Sequence, residues 1–240
     1  MEKIKWGIIG PGSIANNFAD ALKESFSGEL TAIASLNNDR RKNFGDKYNI
    51  ESKLRFNNYD ELLNSEEVDA VYISTPHTFH AKLSIKAAGK GKHILCEKPA
   101  AVNFAQGKKV IDAVREAGVF YKEGFMYRCH PQIPALLDIL KSKVVGNVKK
   151  IKSSFGFDMT KVIPEHRLFN RELAGGAILD VGLYPVSFSR MIAAISSDKK
   201  FINPTSIIAK AEIGQTGVDE ISYATMKFDN GIIADVQTAI

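Results

Sequence analysis

The 240-residue chain carries 32 lysines and arginines against 27 aspartates and glutamates, a net charge of +5, and 45% of its residues are hydrophobic. That balance describes a globular protein with room for one large or two modest domains, and excludes disordered, collagen-like and disulfide-stapled chains. No apolar run approaches a membrane span, and Met1-Glu2-Lys3 leads straight into a strand with no signal peptide, so the expected location is cytoplasmic, without a membrane partner. The lysines are scattered apart from Lys149-Lys150 with Lys152 and Lys199-Lys200, and no aromatics interleave them. They read as solvated faces, not as a nucleic-acid patch. Cys96 and Cys129 match no metal spacing and read as reduced and incidental.

The first predicted element, Lys3 to Ile9, is a short apolar strand that ends in Gly10-Pro11-Gly12. An amphipathic helix follows at once, with Ile14, Phe18, Ala21 and Leu22 on one face. Gly10, Gly12 and Ala15 make a G-x-G-x-x-A dinucleotide fingerprint in its confirming strand–turn–helix context. Gly10 permits the sharp turn, and Gly12 lets the backbone approach a pyrophosphate. The helix start at Ser13 and Ile14 offers N–H groups and a positive dipole end to the phosphates.

Leu30 to Leu36 is the second predicted strand, with Asn37-Asn38-Asp39 capping a helix to about Tyr48. Tyr59 to Leu63 reads as a short helix, Val68 to Ser74 as a buried strand, and His77 to about Lys90 as a helix. His93 to Cys96 is the next strand, closed by Pro99; Asn103 to Ala117 is a helix ending at Gly118, and Val119 to Lys122 a last short strand. Alternating strands and helices with short connectors define a doubly wound parallel sheet, taken as a domain over 1–125.

From 126 to 240 the pattern changes. Pro131 to Lys143 suggests a helix, Asn147 to Phe157 alternates as an antiparallel strand would, and a polar loop runs from about Asp158 to Glu172. Gly175-Gly176 introduces a helix through Ile195. Thr205 to Ile213, Glu220 to Phe228 and Ile232 to Ala239 are three strands, the last two joined at Asp229-Asn230-Gly231. This half is α+β with a mostly antiparallel sheet. The chain stops at Ile240 at the edge of a strand, which reads as a truncated sheet.

Four spaced motifs run in order along nearly the whole chain: GPGSIA at 10–15, Thr75-Pro76-His77-Thr78-Phe79-His80, Cys96-Glu97-Lys98-Pro99, and Gly175 to Tyr184 (GGAILDVGLY). Together they resemble the glucose–fructose oxidoreductase / inositol dehydrogenase (Gfo/Idh/MocA) family of NAD(P)-dependent enzymes. The resemblance implies a Rossmann domain followed by an antiparallel α/β domain, and a catalytic lysine at Lys98. By position Lys98 lies on the carboxyl edge of the sheet, where ligands of such folds bind. Glu97 would pair with Lys98 or touch the nicotinamide ribose.

Asp180 and Tyr184 are four apart and share a face if the stretch is helical, with Pro185 placing them near a helix start. Most inositol dehydrogenase-like members carry His where this chain has Tyr184. Tyrosine there is similar to the subgroup of dimeric dihydrodiol dehydrogenase and NADP-dependent xylose dehydrogenase. A phenol ordinarily titrates near ~10, and a cationic Lys98 would stabilise its anion. The alternative is a buried hydrogen-bonded Tyr184 with Asp180 as a helix cap.

His77 and His80 follow a strand on the same edge. Their spacing suits a metal, but no third ligand accompanies them, so cofactor contact or capping is expected, with no metal. Arg128 and Arg167 match arginines the family places near its active cleft, and each reads equally as a substrate contact or a structural ion pair. Phe125, Met126 and Tyr127 read as packing at the domain junction.

The tip of strand two is Ser35-Leu36-Asn37-Asn38, without the acid that would hold the ribose hydroxyls of NAD. Arg40 and Arg41 follow, and Ser35, Asn37 and a guanidinium from these suit a 2′-phosphate, which favours NADP over NAD, although Asp39 stands among them. The expected activity is hydride transfer between NAD(P) and a sugar, polyol or trans-dihydrodiol. Tyr184 moves the proton, Lys98 tunes it, and Asp180 orients the pair. The family implies a homodimer if the sheet is complete. The rival reading is a non-catalytic nucleotide-binding sensor or degenerate homologue.

Overall fold

The computed structural model describes residues 2–240, and the chain divides into two units, residues 1–124 and 125–240. The first unit begins with β1 (Ile4–Ile9), α1 (Ser13–Lys23), β2 (Gly28–Ala34), α2 (Asn38–Lys47), β3 (Arg55–Phe56) and α3 (Tyr59–Asn64). It continues through β4 (Ala70–Ile73), α4 (His77–Gly89), β5 (His93–Cys96), α5 (Phe104–Ala117) and β6 (Tyr121–Glu123). Asn37, Asn58 and Asn103 each accept a bond from the N–H three residues on, satisfying a first-turn donor of α2, α3 and α5. Gly118, with φ 66°, closes α5 in the left-handed conformation.

The six strands are all parallel in the order β3-β2-β1-β4-β5-β6. Helices cover both faces, so central strands are apolar on both sides, and every residue of β4 is buried. Successive side chains alternate between two cores. Ile9, Val71, Ile73 and Ile94 pack with Leu62, Leu83 and Ala87, while Ile8, Ile33 and Tyr72 pack with Ala15, Ala19 and Phe44. Cys96 is fully buried at the end of β5, and burial pushes its thiol up to about 12. The two-residue β3 has too few residues to show a period in the sequence.

The second unit contains α6 (Gln132–Lys141), β7 (Lys150–Gly156), α7 (Leu183–Ile195), β8 (Pro204–Ile213), β9 (Asp219–Phe228) and β10 (Ile233–Ala239). Its sheet runs β7-β10-β9-β8. β10 pairs antiparallel with β9 and β9 with β8, but β7 lies parallel to β10. The antiparallel expectation for Asn147 to Phe157 is therefore corrected: alternation reports that one face is covered, not which way the neighbour runs. The covered face places Ile151, Ala224, Met226, Ala234 and Val236 against Ile192 and Phe188 of α7.

A second correction concerns the helix expected from Gly175-Gly176 through Ile195, which lies in the stretch Arg171–Ile195, long and apolar enough by length and composition to cross a membrane. Half of it is buried within the protein, and left-handed residues at Ala174 and Gly176 interrupt it. It forms a 3-10 turn, a π-helical turn at Ile178–Gly182 and then α7, so its apolar side chains serve the core of the second unit.

Ile73 is fully buried in central strand β4, so Ile73→Ala is expected to lower stability by about 2–5 kcal/mol, through lost burial and a residual cavity. Urea unfolding followed by circular dichroism checks it.

Candidate functional site

In the first unit the strand order turns between β1 and β4, the position where open α/β sheets hold ligands beyond their carboxyl ends. Gly10 leaves β1 with φ 92°, and a Cβ on it would lie 3.0 Å from Thr75 Cγ2 and 3.1 Å from the Ser74 carbonyl. Its N–H donates to Ala34 O (3.1 Å), and Ser74 Oγ donates to its carbonyl (2.8 Å). Three strand ends thus meet at a residue that must be glycine.

Gly12 differs. Its φ is −87°, and a Cβ there would meet nothing within 4 Å. The open space lies before the N-terminus of α1, which has no side-chain cap, so the N–H groups at Ser13 and Ile14 are left to a ligand. Thr75 Oγ1, just after β4, is buried and without a hydrogen-bond partner. An uncapped helix start, a turn with space for phosphate and a buried polar atom without a partner beside it fit a dinucleotide.

At the tip of β2, Ser35 is nearly buried, and its Oγ accepts from the N–H of Asn37 (3.2 Å). Asn37 spends its own carbonyl oxygen on capping α2, and Leu36 is 68% exposed. Arg40 is exposed on α2, whereas Arg41 folds back on the tip. Its Nη1 donates to Ser35 O (2.7 Å) and its Nη2 to Asn38 Oδ1 (2.8 Å). Of the two arginines that follow the tip, Arg41 is the one whose guanidinium is fixed at the strand end, a difference set by helical phase one residue apart.

Lys98 follows β5 on the same edge, half-buried, and its peptide bond to Pro99 is cis. Glu97 Oε1 accepts from the Tyr72 hydroxyl (2.6 Å), and the Glu97 N–H donates to Ile73 O (2.9 Å). Glu123 accepts from the N–H of Ala100 (2.7 Å), fixing the far side of the turn. His80 is fully buried, with Nδ1 2.7 Å from Pro99 O and Nε2 2.7 Å from Thr75 O. It ties the Lys98 turn to the end of β4, a positioning role rather than metal ligation. Burial lowers its pKa, outweighing the two carbonyls that favour the doubly protonated ring. His77 is also buried, its ring 5.9 Å from that of His80, and exposed Pro76 stands at the N-cap of α4. Among the described residues no group of three His, Cys, Asp or Glu side chains gathers that could hold a metal.

In the second unit Tyr184 opens α7. Phe125, Tyr127 and Phe155 meet its ring edge-on at centroid distances of 5.7, 5.9 and 5.3 Å. Tyr127, Phe155 and Tyr184, with Met126, Pro185 and Phe188, line a pocket of about 380 Å³. Tyr127, expected from sequence to be packing, lines this wall, and Phe125 packs on the Tyr184 ring; Phe155 carries no motif signal, and only its alternation along β7 places it on the covered face.

Asp180 lies in the π-helical turn, nearly buried, where Arg167 Nη1 donates to its Oδ1 (2.8 Å). Arg167 is thus placed as the partner of Asp180. Arg128 Nη2 donates to Ser187 Oγ (2.8 Å), and Arg128 lines a different pocket from Tyr184.

Residues 4–125 match the oxidoreductase family with an NAD-binding Rossmann fold, and residues 134–240 match the GFO/IDH/MocA C-terminal domain. The chain belongs to the Gfo/Idh/MocA family of NAD-binding oxidoreductases. It is 35% identical over 218 residues to the trans-1,2-dihydrobenzene-1,2-diol dehydrogenase of Xenopus tropicalis, covering 90% of this chain and 63% of that protein. The mouse enzyme of the same name is 32% identical over 231 residues, 95% of this chain and 66% of its own. The chain therefore spans just under two thirds of these relatives.

The aldose-aldose oxidoreductase of Caulobacter crescentus superposes with a TM-score of 0.88 at 25% identity, over 99% of this chain and 71% of that one. A 3-ketoreductase from Actinomadura kijaniata, solved with NADP and TDP-benzene, superposes at 0.86 with 28% identity, over 100% and 70%. Solved variants of that ketoreductase replace one tyrosine and one lysine.

Two outcomes are expected. Gly12→Val leaves the melting temperature unchanged but weakens dinucleotide binding at least about tenfold, because the new side chain occupies only ligand space. His80 binds fewer protons folded than unfolded, so its contribution to stability is present above the ordinary histidine value of about 6.5 and declines as pH falls below it. His80→Gln flattens that decline in urea midpoints measured from pH 8 to pH 5.

Proposed function

We propose that this chain is an NADP-preferring dehydrogenase acting on a CH–OH group of a sugar, polyol or trans-dihydrodiol. The first unit serves as cofactor domain and the second as substrate and oligomerisation domain. The observation that carries the reading is the shared carboxyl edge of the first sheet. The glycine turn after β1, Thr75 after β4 and Lys98 after β5 stand along it in neighbouring strands. The nicotinamide cofactor would supply the hydride acceptor.

The chain's own residues supply the rest. Gly10, Gly12, Ser13 and Ile14 seat the phosphates. Ser35, Leu36, Asn37 and Arg40, with Arg41 added, surround the adenosine ribose and favour a 2′-phosphate. Thr75, Pro76, His77, His80 and Glu97 shape the wall before Lys98. Lys98 supplies a cation at the reacting end, Tyr184 takes or returns the hydroxyl proton, and Asp180, held by Arg167, sets the helix start that carries Tyr184. The aromatic wall around Tyr184 suits a flat or apolar substrate carbon skeleton. The reading includes a cytoplasmic location and a homodimer formed through the uncovered face of the second sheet, where Ile208 is 69% exposed.

Tyr184→Phe is expected to lower turnover of trans-dihydrodiols or aldoses by about 10²–10⁴-fold while leaving the NADP⁺ dissociation constant unchanged. Calorimetry with NADP⁺ and NAD⁺, followed by steady-state assays on the full chain, measures both. Tight NADP⁺ binding without turnover on any diol or sugar would replace the enzyme with a nucleotide-binding sensor.

A further inference from the structure

The second unit carries a pocket of about 400 Å³, distinct from the one at Tyr184, whose charge is unbalanced. Arg128, Lys141, Arg190, Lys199 and Lys200 line it, against Asp198 as the one carboxylate of the lining. Lys199 is already paired with Asp229 (2.8 Å). The two guanidiniums have only neutral hydrogen-bond partners among the described residues. Arg128 Nη2 donates to Ser187 Oγ (2.8 Å) and, at 3.3 Å, to Ser187 O. Arg190 Nε donates to Ile202 O (3.4 Å) and its Nη2 to Asn203 Oδ1 (2.8 Å).

Arg190 is half-buried, with its guanidinium 4.3 Å from the centre of the Phe201 ring. Burial and the neighbouring Arg128 charge both disfavour its cation. A half-buried Arg190 with the exposed Arg128 as a like-charged neighbour is relieved by a multiply charged oxyanion, which guanidinium forks bind in bidentate fashion. Apart from Ser187 the rest of the lining is apolar, with Leu137, Met191 and Phe201 among it, and the volume is that of a small-molecule site.

We propose that this pocket binds an organic phosphate monoester. Its phosphate lies on Arg190 and Arg128, with Lys141 and Lys200 at the rim, and its apolar portion lies against Met191, Leu137 and Phe201. The site is separate from the chemistry assigned to Tyr184 and does not depend on it.

Isothermal titration of the full chain with phenyl phosphate, inorganic phosphate and benzoate, at fixed ionic strength, tests this. Phenyl phosphate is expected to bind about tenfold more tightly than inorganic phosphate or benzoate, the first gap from the ring and the second from the additional charge. Arg190→Gln should weaken phenyl phosphate about tenfold or more. Since Arg190 also holds Ile202 and Asn203, the exposed double variant Lys141→Gln/Lys200→Gln provides a version that spares the fold, with an expected loss of about threefold or more. No binding of phenyl phosphate, or binding that both variants leave unchanged, overturns the site. Equal affinity for benzoate overturns the phosphate assignment, and equal affinity for inorganic phosphate overturns the organic portion.

Discussion

One imidazole with no exposed surface sits between two carbonyl oxygens on the carboxyl edge of the first sheet. His80 reaches Thr75 O at the end of β4 and Pro99 O after β5, each at 2.7 Å. The lowered pKa favours the neutral ring, whose one N–H donates to one of the two carbonyls; a buried carbonyl without a partner costs about 1–3 kcal/mol, so loss of that bond opposes movement of the segment it holds. The consequence spreads outward. Thr75 fills the space that only a glycine at position 10 can leave, and the Lys98 turn is held from one side by His80 and from the other by Glu123. The cofactor-facing edge is therefore a backbone construction, with side chains serving mainly to pin one strand end to the next.

The second unit reaches its site differently. Tyr184 is placed by a helix that begins only after a widened turn, and its ring is fixed by three aromatic edges instead of by backbone bonds. Edge-to-face contacts of this kind set a ring plane while leaving the hydroxyl end to other partners. Asp219 contributes from β9, accepting from the N–H of Ile178 (2.8 Å) and from Ser222 Oγ (2.7 Å), which ties the sheet to the start of that turn.

The parts legible in the sequence are those in which local pattern and tertiary context agree. Strand–glycine–helix at residues 4–23, the asparagine caps and the hairpin at 229–231 each follow from residues that sit next to one another. The parallel pairing of β7 was not legible, because burial on one face is the same whichever way the neighbouring strand runs. The π-helical turn was missed for a related reason: the spacing of Asp180 and Tyr184 suits an α-helical face, and only packing shows that the first belongs to a wider turn. Arg40 and Arg41 show the limit at single-residue scale, since one step along α2 rotates a side chain by roughly 100° and only the fold shows which of the two turns back on the strand tip. The role of Arg167 needed a partner 13 residues away, supplied by the fold of a polar loop without periodicity.

The two cysteines are chemically far apart. Cys96 lies wholly inside the first unit, its thiol pushed up to about 12, whereas Cys129 is on the surface of the second, next to Arg128. Alkylating reagents attack the thiolate, and at neutral pH the buried position holds almost none of it. Within these 240 residues Cys129 is thus the one exposed attachment point for a maleimide dye or spin label. A reporter placed there needs no engineered cysteine, and it is next in sequence to Arg128 of the basic pocket.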